Sequence, residues 1–439
     1  MKIRFIHVAD IHLGYEQYNL VPRANDFTAA YLKMVEHAID ARADFVLIAG
    51  DLFNRANADA WMLKQASYGL ELLRDARIPV VAIEGNHDVQ HSRKNLSWME
   101  FLCDAGLLSL LNVQVASNGY KSLTPFDSQD RRGSYVDIAG ARIYGIKYYG
   151  AATARVLDEV GPLIETGPDG YTILMLHTGM EGQVPHMHGG LTPAQIAPLH
   201  PPVDYLALGH VHKRLVEDWV FNPGSLETNS FEEMHWPHGF FDVQVDTSQP
   251  EKQIVTPVAT PNLRPFHRIS VTTDEIETLD DFVEKAAAAI SAETGIQSGA
   301  VIELHLGGPA AFKRQDVPVD ALQSQVKVRF DPLLVRVRNS LVPPGLVAVR
   351  RHERMSRAEI ERQVVEQLVY QHADYRDRAA HWARLILDVK NMAVEGDVPS
   401  SIADHVRNVL ASMAQEEQPE RDMQMSPAEE EESDAHHVA

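Results

Sequence analysis

Six short apolar runs punctuate the first 245 residues: IRFIHVA (3–9), FVLIAG (45–50), PVVAIEG (79–85), ARIYGI (141–146), YTILMLH (171–177) and DYLALGH (204–210). Runs apolar at successive positions read as strands buried on both faces. Between them, Phe27, Tyr31, Met34 and Ala38 recur at helical spacing, as do Leu63, Ala66, Leu70 and Leu73, the latter opened by Asp59 as an N-cap. Buried strands separated by helices define an α/β domain, a sheet covered by helices. A chain of 439 residues exceeds what one hydrophobic core supports, and 45% hydrophobic content is enough to build two or more domains.

Polar signatures stand at or just after the ends of these runs. They are Asp10-Ile11-His12, Gly50-Asp51, Gly85-Asn86-His87-Asp88, His177, and Gly209-His210-Val211-His212. Each is unremarkable alone: Asp-x-His and Gly-Asp are common, Gly-Asn-His-Asp is rich in turn residues, and a single His177 could be a hydrogen-bonded core histidine. Their shared position decides the matter. Ligands of open α/β sheets bind beyond the carboxyl ends of the strands, so these loops converge on one crevice. Imidazole and carboxylate oxygen suit Mn, Fe or Zn, and no cysteine belongs to the set.

The order D-x-H, GD, GNHD, H, GH-x-H resembles the calcineurin-like metallophosphoesterase superfamily. The resemblance implies a sandwich of two mainly β sheets flanked by helices. It also implies two divalent metal ions, manganese being the expected one. Asp10, His12 and His212 would hold the first ion, Asn86, His177 and His210 the second, and Asp51 would bridge them. Paired ions of this kind clamp the attacking and leaving oxygens of an in-line displacement and activate water. His87, beside a ligand, would touch the scissile phosphate and protonate the leaving oxygen, with Asp88 behind it to orient or charge it.

The stretches VADIHLGYEQYNL with Arg23, GDLFNRA and FNPGSLETNSFEE (221–233) narrow the resemblance to nuclease subunits of the SbcD type, which act in double-strand-break repair. By that likeness the chain is a DNA exonuclease and endonuclease acting on DNA ends. It would form a homodimer and dock through C-terminal helices on an SbcC-like coiled-coil ABC-type ATPase. No P-loop is present, so ATP use would belong to the partner. Several nucleases of this type carry histidine three residues after the bridging aspartate. Asn54 stands there instead, which bears on the balance of exonuclease and endonuclease action. A phosphomonoesterase or nucleotide phosphodiesterase of the same superfamily, and a non-catalytic recruiting scaffold, are the alternatives.

The expected organisation is a nuclease domain over 1–256, a proline-rich linker over 257–266 and a small α+β capping domain over 267–345. C-terminal helices follow over 356–415, then an acidic disordered tail over 416–439. In the capping domain RISVTT, AVIELHLGG, VKVRF and LLVRVRN read as strands and LDDFVEKAAAAISAE as a helix. Ser356 and Glu359 form a candidate capping box ahead of Ile360, Val364 and Leu368. Trp382, Leu385, Ile386 and Val389, then Ile402, Val406, Val409 and Met413, stripe two further helices. These stripes suit an internal core or a partner.

Formal net charge is −21, against the usual basic balance of nucleic-acid binders, but nine acidic residues and one basic fall between 416 and 434. Arg131 with Arg132, Arg336 with Arg338, and Arg350, Arg351 and Arg354 are the local basic groups. The last five could meet either DNA or the ATPase. His186 and His188 sit in a Gly- and Pro-textured loop, facing substrate or solvent, and His436 and His437 in the tail. A lone Cys103, no run of membrane-spanning length and a start unlike a signal peptide lead to the expectation of a cytoplasmic protein without a membrane anchor.

Overall fold

The computed structural model describes residues 1–89, 96–115, 121–184, 190–261, 263–273, 276–342, 357–370, 372, 374–395 and 398–415. His186, His188, Arg350, Arg351, Arg354, Ser356 and the tail histidines lie outside them. The chain divides into two compact units.

The first unit opens with β1 (Lys2–Val8), α1 (Val21–Asp40), β2 (Phe45–Ala49), α2 (Ala60–Asp75), β3 (Val80–Ile83), α3 (Trp98–Asp104) and β4 (Ser109–Leu110). Two-residue strands β5 (Gln114–Val115) and β6 (Lys121–Ser122) pair with each other. Then come β7 (Tyr135–Ile138), β8 (Ala141–Ile146), α4 (Thr153–Val160), β9 (Tyr171–His177), α5 (Pro193–Ile196) and β10 (Tyr205–Gly209). Strands β11 (Leu215–Glu217), β12 (Val220–Asn222), β13 (Gly239–Asp246) and β14 (Gln253–Ala259) complete it. One sheet has the order β14-β13-β1-β2-β3-β4 and the other β11-β12-β10-β9-β8-β7. Strands β1 to β4 run parallel, as do β8, β9, β10 and β12.

Side-chain alternation explains why the runs are apolar at every position. In β1, Ile3 and Phe5 join the core between the sheets, while Ile6 and Val8 turn to the core under α1, α2 and α3. Phe45 and Leu47 of β2 likewise face the other sheet, with Val46 and Ile48 under the helices. In the second sheet Ile173, Met175, Tyr205 and Ala207 point inward, whereas Leu174, Leu176, Leu206 and Leu208 meet α4 and α5. The result is the expected sandwich, helices outside and two sheets within. Phe5 stacks on Phe45 at 5.0 Å, and Tyr205 on Phe221 at 4.4 Å.

Asp59 caps α2 by accepting from the backbone N–H of Trp61 and Met62. Pro257 lies inside β14, opposite Phe241, so the stretch read as a linker begins as strand. Proline is tolerated there because β14 is the sheet's edge and one side of it needs no donors.

The second unit contains most of a three-stranded sheet, ordered β15 (Phe266–Thr272), β16 (Val301–Pro309), β17 (Leu334–Val342), with helices α6 (Leu279–Ala292) and α7 (Val319–Phe330). VKVRF is the end of α7 and not a strand. Leu322, Val326 and Phe330, four residues apart, are buried, whereas Val328, which a strand would place beside Val326 and Phe330, is 89% exposed. Helices α8 (Arg357–Tyr370), α9 (Ala379–Glu395) and α10 (Pro399–Gln415) follow, α9 packing on both others. Their apolar stripes divide: Leu385 and Met413 are buried, while Val364, Leu368 and Ile386 remain exposed.

Asp242 of β13 ties three elements of the first unit together. It accepts from Arg4 Nε at 2.8 Å and Nη2 at 2.6 Å, and lies 2.8 Å from His37 Nε2 of α1. Burial disfavours its charge, but the Arg4 and His37 hydrogen bonds outweigh burial and hold its carboxyl below the usual range. A carboxyl lowered by folding stabilises above its unfolded pKa, and that contribution vanishes as pH falls through the lowered folded value. Asp242→Asn should therefore cost about 2 kcal/mol in urea unfolding at pH 7. The difference from wild type should shrink as pH drops below about 4.

Candidate metal centre

The loops leaving β1 and β2 are zipped by main-chain hydrogen bonds: Ile11 and His12 N–H donate to Asp51 O at 2.9 and 3.0 Å, and Leu13 N–H to Leu52 O at 2.9 Å. The chain pays for this with left-handed backbone at Asp10, His12, Asp51 and His210, whose φ values are 52°, 50°, 54° and 80°. Such conformations persist in non-glycine residues only where surrounding contacts over-determine them, and they concentrate at functional sites.

Asp10, His12, Asp51 and Asn86 follow β1, β2 and β3 of one sheet, while His177 ends β9 and His210 and His212 follow β10 of the other. All seven come together. His12 Nε2 lies 3.1 Å from His212 Nε2 and 3.9 Å from Asp51 Oδ2. His177 Nε2 is 3.2 Å from Asp51 Oδ2 and 3.1 Å from Asn86 Oδ1, and His210 Nδ1 is 2.8 Å from that same Asn86 oxygen. Asp10, His12 and His212 form one tight donor group, and Asp10, Asp51 and His177 another.

The donors fit divalent ions. Asp10 Oδ2 and His12 Nδ1 are buried without a hydrogen-bond partner among the described residues, and the Nε2 atoms of His12 and His212 face each other at 3.1 Å. Buried polar atoms are rarely left so. A cation is what oxygen and nitrogen lone pairs converging in this way can hold.

Packed this closely, the groups shift one another's titration. Burial pushes the Asp10 carboxyl up to about 6, partly offset by His212 and His177. Burial opposes charge on His177, yet the Asp51 carboxylate beside it prevails and raises the imidazole to about 9. His210, half-buried and next to His177, falls to about 4, and burial drives His12 well below its ordinary value.

His87 stands at the edge of the group, its ring centroid 4.9 Å from that of His12, and it shares a tight cluster with His12 and Asp51. Its N–H main chain donates to Asp51 Oδ1 at 2.9 Å. Asp88, expected behind this imidazole, does other work. Its carboxylate accepts from the backbone N–H of Gly85 at 3.0 Å, Phe53 at 3.0 Å and Leu52 at 3.3 Å, clamping the β3 loop to the β2 loop. Both of its oxygens are turned to main-chain donors, Oδ1 to Phe53 and Oδ2 to Leu52 and Gly85. Burial, then Asp51, pushes its carboxyl up to about 8. The group that orients His87 is the Asn54 carbonyl, 2.7 Å from Nδ1.

Sequence reasoning missed two neighbours. Glu233 Oε1 lies 3.0 Å from His212 Nδ1, and the Tyr148 ring lies 5.4 Å from the His210 ring. Glu233 stood in a stretch already singled out, FNPGSLETNSFEE, but nothing in that stretch pairs it with His212.

Residues 3–214, which carry this sandwich and the donors at the carboxyl ends of both sheets, match the calcineurin-like phosphoesterase family. The chain carries a calcineurin-like phosphoesterase domain. Over 235 residues it is 33% identical to the DNA double-strand break repair protein Mre11 of Archaeoglobus fulgidus, a match covering 51% of this chain and 50% of that protein. Mre11 of Aeropyrum pernix is 29% identical over 281 residues, 61% of this chain and 63% of that one. The Methanocaldococcus jannaschii protein of the same name is 30% identical over 242 residues, covering 54% and 58%. The chain thus spans between half and just under two-thirds of the length of these curated relatives.

Gly85 shows how tightly the centre is built. A Cβ there would lie 2.1 Å from Asp51 Oδ1 and 2.5 Å from Asp51 N, and main chain cannot yield as a flexible side chain does. Gly85→Ala should displace Asp51 and reduce Mn²⁺ binding by at least about tenfold in calorimetric titration, the scale on which disturbed ligand orientation weakens metal sites.

Proposed function

We propose that this chain is a two-metal-dependent DNA nuclease, an exonuclease and endonuclease that hydrolyses phosphodiester bonds at DNA ends in double-strand-break repair. The observation that carries the reading is the convergence of Asp10, His12, Asp51, Asn86, His177, His210 and His212 from the ends of two sheets onto one point. The DNA substrate is supported by relatives that are named for double-strand break repair.

In this reading Asp10, His12 and His212 would hold one ion, Asn86, His177 and His210 the other, and Asp51 would serve both. Manganese is the ion we favour, since the donor set mixes imidazole with carboxylate and amide oxygen and contains no thiolate. Bound there, the ions would polarise the phosphate and activate the attacking water. The chain's own acid is His87. Its Nδ1–H is held by the Asn54 carbonyl, which aims the ring and leaves the other nitrogen, as imidazolium, to deliver a proton to the departing oxygen. Asp88 keeps the loop bearing Asn86 and His87 in place. Arg131 lines a cleft of about 310 Å³ with Arg74 and Arg77 and no acidic side chain among its described residues, a local basic surface on an acidic chain.

Action on DNA ends is what places the protein in the cytoplasm in this reading; no helix among the described residues is long and apolar enough to cross a membrane. Homodimer formation is supported by Trp61 and Tyr68, both exposed and seven residues apart on α2. An SbcC-like coiled-coil ATPase binds α8 to α10, where Val364, Leu368 and Ile386 lie exposed.

Two measurements check these assignments. Purified chain with Mn²⁺ should degrade linear DNA, and Asp51→Ala or His87→Ala should lower the rate by at least about 100-fold. Robust cleavage by either variant, or fast phosphomonoester turnover without DNA cleavage, would remove the nuclease reading. Deleting residues 356–415 should abolish co-purification with an SbcC-like ATPase while DNA hydrolysis persists; retained association would make the helices internal core only.

A further inference from the structure

The imidazoles of the centre are oriented from behind by different groups. His177 Nδ1–H is held by the Ala49 carbonyl at 2.8 Å and His87 Nδ1–H by the Asn54 carbonyl at 2.7 Å. Among the described residues His212 alone has a carboxylate there, Glu233 Oε1 at 3.0 Å. Glu233 is 8% exposed, and its other oxygen accepts from the Asn229 N–H at 3.0 Å.

This carboxylate is carried on an anchored loop. Gln17 Nε2 donates to Asn229 O at 2.6 Å, and Arg23 Nη2 to Thr228 O at 2.9 Å and Glu227 Oε1 at 3.2 Å. Arg23 itself is fully buried in α1. A continuous set of hydrogen bonds thus runs from α1 through residues 227–233 to the ring of His212.

We propose that Glu233 is a positioning residue of the metal centre. Its carboxylate fixes His212 in the Nδ1–H form and leaves Nε2, which faces His12, free to bind a divalent ion. The inference rests on the metal-centre reading above. The chemistry is specific to a carboxylate because both oxygens already accept, one from His212 and one from Asn229. An amide would satisfy only one of the two, and a donor turned toward His212 would select the opposite tautomer. Outer carboxylates that hold a ligating imidazole typically change metal affinity by about 10- to 100-fold.

The test uses the full-length chain, Mn²⁺ alone as the probe, and calorimetric titration beside the melting temperature of the metal-free protein. Glu233→Gln should bind Mn²⁺ about tenfold more weakly at one site, and Glu233→Ala at least as weakly. The other site should stay within about twofold of wild type, and the metal-free melting temperature within about 1 °C, since the loop remains anchored by Arg23 and Gln17. Wild-type affinity at both sites in both variants overturns the inference. So does an equal loss at both sites accompanied by a lower melting temperature, which would mean that Glu233 only braces the loop. A wild-type chain that takes up no Mn²⁺ removes the metal-centre reading and this inference with it, an outcome distinct from unaffected variants of a metal-binding wild type.

Discussion

The centre exists because two sheets pack face to face. Its donors come from β1, β2 and β3 on one side and β9 and β10 on the other, so their spacing is set by the aromatic layer of Phe5, Phe45, Tyr205 and Phe221 between the sheets. Interiors packed this densely transmit displacement instead of absorbing it. A change of volume in that layer would slide one half of the donor set against the other while leaving each loop intact.

Local strain completes what packing begins. Left-handed backbone at Asp10, His12, Asp51 and His210 turns each chain sharply as it leaves its strand, and each such residue costs on the order of 1–3 kcal/mol. The main-chain zipper between the first two loops and the three hydrogen bonds gathered by Asp88 offset that cost. Glycines at 50 and 85 serve proximity: the positions a Cβ would take are filled by His177 and Asp51.

The strands and the donors were legible in the sequence because both obey short-range rules. Strand-length apolar runs named the sheets, and polar residues at their ends named the site. What lay outside that grammar was less visible. VKVRF alternates as a strand would, yet the burial of Leu322, Val326 and Phe330 imposes the helical period. Asp88 sits next to His87 in sequence, but sequence adjacency does not say which way a carboxylate turns, and backbone donors from another loop claim it. Glu233 reaches His212 from 21 residues away, a pairing that no local pattern encodes.

The hold on His87 has an evolutionary side. The acceptor at position 54 is a main-chain carbonyl, which every amino acid supplies, and not the asparagine side chain. The side chain at that position can therefore be exchanged without loosening the hold on His87, in the loop after the neighbouring strand. The orientation of the imidazole and the chemistry of the side chain at 54 are thus separable properties of one residue, and a substitution there changes the second while keeping the first.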